Sequence, residues 1–171
     1  MGIQKPAPSE YAPYYGMYIE RVGDGYILKT LAAQLRDTRA LLGEQSEERG
    51  SYRYAPGKWS LKQVIGHLAD AERVFTYRAL VFARNDKTPL PSMEQDDWMT
   101  QANFDGRSLA SIVAEFGAVR AATLALFESF DGEIAARRGT ANGFEFTVRA
   151  MPYIVAGHEA HHVGVIRERY L

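Results

Sequence analysis

Four stretches of this chain repeat apolar residues with the period of an α-helix, and no stretch of comparable length alternates as a strand would. A chain patterned this way has to bury helix against helix. The first stretch runs from about Asp24 to Leu42, with Ile27, Leu28, Leu31, Leu35 and Leu42 on one stripe and Gly43 as its stop. The second opens at Ser60-Leu61-Lys62-Gln63, where Ser60 and Gln63 can reciprocally satisfy the first free N–H groups. Its apolar face is Leu61, Val64, Ile65, Leu68, Phe75 and Val81. The third starts at Ser108 and carries Leu109, Ile112, Val113, Phe116, Val119 and Phe127. The fourth lies between about Thr147 and Tyr170. Pro152 suits its first turn, but deeper inside it would cost about 3 kcal/mol or a kink. From Asn85 to Arg107 the chain holds Pro89, Pro91, the acidic cluster Glu94, Asp96 and Asp97, and the aromatics Trp98 and Phe104. That is longer than most connections, and its aromatics suit a segment that covers a site. Asn142-Gly143 ahead of the alternating Phe144–Val148 predicts a short hairpin. The expectation is an all-α four-helix bundle, a single domain over residues 1–171, with a long crossing loop and a short hairpin before the last helix.

Composition narrows the function. With 46% apolar and 24% charged residues the chain has a globular balance. A formal charge of −1 and a pI near 6.4 supply no basic face for nucleic acid. No unbroken run of about 18 apolar residues occurs, so no membrane span is expected. The start, Met1 to Pro6, lacks the apolar stretch of a secretory signal, and Gly2 is not followed by a good myristoylation pattern. A cytoplasmic protein is the resulting expectation. The chain has no cysteine, which excludes disulfides, thiolate metal sites and cysteine nucleophiles. Any metal must be held by His, Asp or Glu.

The four histidines are His67 in the second helical segment and His158, His161 and His162 in the fourth. Residues four apart on a helix lie about 40° apart around the axis and one turn along it, so His158 and His162 can present two imidazoles to one ion. They belong to the row Ile154, His158, His162, Ile166, whose outer members are core residues, so the row faces inward. His67 lies among Val64, Leu68 and Ala71 on the buried stripe of its helix. A lone histidine on an apolar face is usually a core residue with a satisfied hydrogen bond. Two inward histidines at this spacing are different, because buried imidazoles need partners and would repel one another if protonated. A shared divalent ion removes both difficulties. His161, three residues from His158, has a chelating spacing too, but the row through core positions favours His162.

His158-Glu159-Ala160-His161-His162 also matches H-E-x-x-H, the zinc-protease motif in which the glutamate is the general base. Such a protease takes its third ligand downstream, and the nine residues after His162 contain no histidine. The third ligand has to come from elsewhere, and His67 is the remaining histidine. An HExxH protease is the weakest of the enzyme readings.

Lys58-Trp59-Ser60, the stretch Gly66-His67-Leu68-Ala69-Asp70-Ala71-Glu72-Arg73 and the closing Gly157-His158-Glu159-Ala160-His161-His162 resemble the DinB/YfiT-like superfamily of metal-dependent four-helix proteins. The similarity extends from Glu10-Tyr11 to the C-terminal Arg167–Leu171. The family's ligand pattern, one histidine on the second helix and H-x-x-x-H on the fourth, falls on His67, His158 and His162. The resemblance implies a divalent metal, an enzyme of hydrolase or thiol-dependent S-transferase type acting on a small molecule, and a homodimer. Its thiol-dependent members use bacillithiol, mycothiol or glutathione, so a low-molecular-weight thiol is a candidate cosubstrate.

Three histidines leave coordination positions open, as a catalyst needs and a closed structural zinc site does not. Zinc suits four-coordination; nickel or iron would take more ligands. Two further side chains are candidates for catalysis. Glu159 follows a ligand but, about 100° round the helix, is expected to face solvent. Arg78, eleven residues from His67 and so on the same face, could bind an anionic substrate or pair with Glu94 or Asp97. Glu72, Arg73, Arg84 and Asp86 read as a solvated face or an ion-pair network, and Trp59 as packing at the bundle end. Beside the enzyme stand two other function classes: a non-catalytic metal-binding or stress-related bundle, and a helical interaction module with core histidines.

Overall fold

Each of the four expected helices forms, and three of their ends are set by the residues that predicted them. The computed structural model describes residues 3–171, so Met1 and Gly2 of the start discussed above lie outside the described residues. Two 3-10 turns, Pro8–Glu10 and Pro13–Tyr15, lead into the short helix α1 (Gly16–Ile19). α2 covers Ile27–Gly43; it begins three residues later than expected because Gly25, at φ 139°, holds the chain outside helical space. A one-turn helix, α3 (Glu47–Ser51), precedes α4 (Leu61–Ala83). At the start of α4 the Ser60 hydroxyl accepts the Gln63 N–H at 3.1 Å and the Gln63 side chain accepts the Ser60 N–H at 3.0 Å. α5 (Gln95–Gln101) lies inside the crossing loop, where no helix was expected. α6 (Leu109–Glu128) is capped by Ser108, and α7 (Gly132–Ala136) follows it. β1 (Arg138–Ala141) and β2 (Phe144–Thr147) pair antiparallel across Asn142-Gly143. Both turn residues have positive φ, 49° and 75°, the backbone such a two-residue hairpin demands. α8 (Ala150–Arg169) starts after β2, with Pro152 in its first turn where no helical hydrogen bond is lost.

α2, α4, α6 and α8 form the bundle. α4 packs on α6 and α8, and α2 packs on α6 and α8, which leaves the consecutive helices α2 and α4 on a diagonal. The core comes in two apolar blocks. Ile27, Leu31, Phe75, Phe82, Phe127, Met151 and Ile154 belong to one; Leu42, Leu61, Ile65, Ile112, Phe116, Ile166 and Tyr170 belong to the other. α2 and α8 run from the first block to the second, whereas α4 and α6 run from the second to the first. α4 and α6 are therefore parallel neighbours, and residues 84–108 must return along the bundle to join them. Leu90 and Met93 pack on the first block, and Met99 and Phe104 on the second. The crossing loop is the physical cost of two adjacent parallel helices.

By length and composition, with mean hydropathy 1.6, α6 is the one described helix apolar enough to cross a membrane, although Glu115 and Arg120 interrupt its apolar run. It packs here between α2 and α4 and carries the fully buried Arg120.

Candidate metal centre

All four bundle helices change from one apolar block to the other through a polar layer. Thr38 of α2, His67 and Glu72 of α4, Arg120 and Thr123 of α6, and His158 and Glu159 of α8 are its buried members. Burying polar groups costs several kcal/mol unless they are paired, so this layer has to satisfy itself. Thr123 donates to the Val119 carbonyl at 3.0 Å, and the other members gather in two clusters on neighbouring faces of α8.

The first cluster is the three histidines. His67 Nε2 lies 3.2 Å and His162 Nε2 3.1 Å from His158 Nε2. One ligand atom from each of the three falls within 4.8 Å of the others. Their nearest polar neighbours at these nitrogens are one another. Burial holds the His67 ring down to about pKa 4 and the His162 ring down to about 3; His162 is lowered further by His67 and His161. His158 is pushed well below the ordinary value, again by burial first and then by the neighbouring histidines. All three are thus neutral near pH 7, with ring nitrogens converging on one point. Two imidazole nitrogens bound at about 2.05 Å to a tetrahedral ion stand roughly 3.3 Å apart, close to the separations found, so the donor set fits a divalent cation. His161 is outside this group; its ring packs edge-on to Tyr18 and His162.

The rings are fixed by packing. Trp59, expected only at the bundle end, sets its ring 5.0 Å from that of His67. Gly66 gives the Phe104 ring of the crossing loop its place against α4, where any Cβ would overlap that ring. Gly157 does the same for the N-terminal segment, because a Cβ there would overlap the Tyr18 carbonyl. That close approach seats the Tyr18 ring 5.3 Å from His158. The segment is tied down by Glu10 to Arg149 at 2.7 Å and by the Tyr153 hydroxyl donating to the Ile3 carbonyl at 3.1 Å. His67 Nδ1 is sealed off and meets no hydrogen-bond partner among the described residues.

The second cluster is an ionic hub around Arg120. Its Nε and Nη2 donate to the two oxygens of Glu72 at 2.7 and 2.8 Å, and Nη1 donates to the Leu31 carbonyl at 3.0 Å. Nη2 also makes an ion-pair contact of 2.7 Å with Glu159 Oε2, poorly aligned for a hydrogen bond. The Thr38 hydroxyl donates to Glu159 Oε1 at 2.6 Å. Glu159 is therefore buried, not solvent-facing as expected, because the first half of α8 is enclosed on every side. Glu72 takes the second of the two alternatives expected for it, an ion-pair network, here buried around Arg120. Arg73, by contrast, makes surface pairs with Asp70 and Glu115, and Arg84 and Asp86 are exposed. Burial pushes the Glu159 carboxyl up, and Arg120 offsets this only in part.

His67 and His158 form part of the wall of a 470 Å³ cavity between the N-terminal segment, α4, the crossing loop and the hairpin. Tyr15, Tyr18, Phe75 and Phe146 supply apolar walls, and Arg78 is the cation among its lining residues. Ser92, Met93, Glu94 and Gln95 bring the crossing loop over it, as its composition suggested.

The sequence model of the DinB superfamily matches residues 30–166. Among solved structures, YfiT from Bacillus subtilis superposes with a TM-score of 0.70 at 18% identity, covering 96% of this chain and 90% of its own. It is described as a "probable metal-dependent hydrolase with an unusual four-helix bundle topology". The DinB-like protein YjoA, also from Bacillus subtilis, superposes with a TM-score of 0.60 at 18% identity, over 85% of this chain and 90% of its own. At this identity the likeness is one of fold. No curated protein matches the chain.

Proposed function

The chain belongs to the DinB superfamily, and from that membership we propose that it is a divalent-metal-dependent enzyme of hydrolase type acting on a small molecule, with His67, His158 and His162 holding the ion. The observation that carries this reading is the convergence of three neutral imidazoles, two of which, His67 and His158, line a 470 Å³ cavity. A bound divalent cation would act there as a Lewis acid, polarising a carbonyl and lowering the pKa of a nucleophile. The chain's own contribution is placement. His67 and His158 line the cavity, Tyr15, Tyr18, Phe75 and Phe146 set apolar walls beside them, and Ser92 to Gln95 of the crossing loop complete part of the lining. Glu159, the base of an H-E-x-x-H protease, is committed to Arg120 and Thr38, about 100° round α8 from His158, which argues against that mechanism.

A thiol-dependent transferase is the second reading. It is favoured by a chain with no cysteine and a cavity large enough for a low-molecular-weight thiol beside an electrophile. The test incubates zinc- or nickel-loaded protein with an activated ester or an alkyl halide, with and without glutathione or bacillithiol. Chelator-sensitive turnover without thiol, lost in His158→Ala, supports hydrolysis. Turnover only with thiol, lost in the same variant, moves the assignment to transfer. Turnover unchanged by chelator and by His158→Ala would overturn both.

A further inference from the structure

Two arginines are buried in this protein, Arg78 at 3% and Arg120 at 0% exposure, and they differ in how they are satisfied. Arg120 is saturated by two glutamates and a carbonyl. Arg78 forms no ion pair among the described residues; its one hydrogen bond is from Nη2 to the Pro91 carbonyl, 2.8 Å. None of its other N–H groups is sealed without a partner, and the residue lines the cavity, so these groups face the cavity space. The carboxylate that shares the lining, Glu94, is exposed and accepts the Ser92 hydroxyl at 2.6 Å instead. Holding a guanidinium out of bulk water with one carbonyl for a partner is costly, and a bound anion would remove that cost.

Resting on the metal-enzyme reading, we propose that Arg78 is the anion-recognition residue of this cavity and that the substrate is a small organic carboxylate with a flat, apolar body. Six aromatic side chains line the cavity: Tyr14, Tyr15, Tyr18, Phe75, Phe144 and Phe146. Phe75 stands between the two polar ends, its ring 5.8 Å from that of His158 and 5.9 Å from Arg78 Cζ. Eleven residues on one helix separate the α carbons of His67 and Arg78 by roughly 16 Å, and the backward lean of long helical side chains shortens the span between functional groups to roughly 10 Å. A ligand of that length would place its carboxylate on the free edge of Arg78, its body against the Phe75 and Tyr15 rings, and its reacting group at the histidines. Among the described residues Arg78 is the one cationic side chain in the lining, which suits a single negative charge at that end of the cavity.

Phenylbutyrate and its uncharged amide, phenylbutyramide, test this by calorimetric titration of the chelator-treated, metal-free chain, then of the zinc-loaded chain. Metal-free wild type should bind the acid at least about tenfold more tightly than the amide. The ratio should fall to near one in Arg78→Met and be kept in part in Arg78→Lys. Unchanged amide affinity in both variants would show the cavity intact, which a purely structural role for Arg78 would not give together with lost discrimination. Equal binding of acid and amide to wild type, a preference that survives Arg78→Met, or binding of neither probe at millimolar concentration overturns the proposal. A preference seen only with zinc and insensitive to Arg78→Met would put the carboxylate on the ion and also overturn it. Because the comparison is first made without metal, failure of the metal reading and failure of the arginine assignment give different results.

Discussion

Replacing Arg120 by methionine removes the only cation from a cluster that holds two carboxylates in the middle of the bundle. Arg120 is fully buried and joins α6 to Glu72 of α4, Glu159 of α8 and the Leu31 carbonyl of α2. Breaking a buried ion pair by removing one partner costs about 3–5 kcal/mol, because the other charge stays uncompensated. Two glutamates are stranded here, and Thr38 relieves only Glu159, so the upper end, about 5 kcal/mol, is expected. That is a large share of the roughly 5–15 kcal/mol that stabilises a typical domain. The sign of the pH dependence follows from linkage. Without Arg120 the buried carboxyls have folded pKa values raised above their unfolded ones, so the folded variant binds more protons and gains stability as pH falls through the raised values. Urea unfolding of wild type and Arg120→Met, at neutral and mildly acidic pH, measures this. The deficit should be largest at neutral pH and shrink on acidification, and Glu72→Gln added to Arg120→Met should recover part of it. A loss below about 1 kcal/mol, or one that does not change with pH, would mean that the hub does not carry the buried charge described.

Gly157→Ala should push the Tyr18 carbonyl off α8 and loosen the N-terminal segment, at about 1–3 kcal/mol. Faster proteolysis of that segment with a lower melting temperature is the readout, and an unchanged digestion pattern would contradict the close approach. For the metal-free chain, the depressed folded pKa values of His67, about 4, and His162, about 3, mean that the unfolded state binds more protons below the ordinary histidine value near 6.5. Stability should therefore be full above that pH and fall as pH drops toward 4, by about 1.4 kcal/mol per pH unit for each histidine. A urea midpoint that stays flat over this window would show that the rings are not held neutral by burial.

Much of this architecture was legible in the residues because it rests on local chemistry. Ser60 with Gln63, Ser108, and Asn142-Gly143 are signals that act within a few residues, and each set the end or turn it predicted. The inward row Ile154, His158, His162, Ile166 was readable because its outer members are core residues. Glu159 was misread for a related reason: solvent was assigned to the side of α8 away from the histidines, but residues 150–159 are enclosed on all sides. Helical period carries no information about a helix with no exposed face. One signal was present and unused, since Arg120 is a lone cation within a long apolar helix, where an unpaired charge is untenable. The docking of the N-terminal segment against α8 depends on contacts more than a hundred residues apart, such as Glu10 with Arg149. Such contacts leave no local pattern. The parallel run of α4 and α6 is a topological fact of the same kind, foreshadowed only by the length of the segment between them.

Metal content tests the central claim most directly. Untagged protein purified without chelator and measured by inductively coupled plasma mass spectrometry should carry about one divalent ion per chain. His67→Ala, His158→Ala and His162→Ala should each lose most of it, while His161→Ala, whose ring lies outside the converging group, should retain it. Retention of a full equivalent in His67→Ala, or loss in His161→Ala with retention in His162→Ala, would contradict the account.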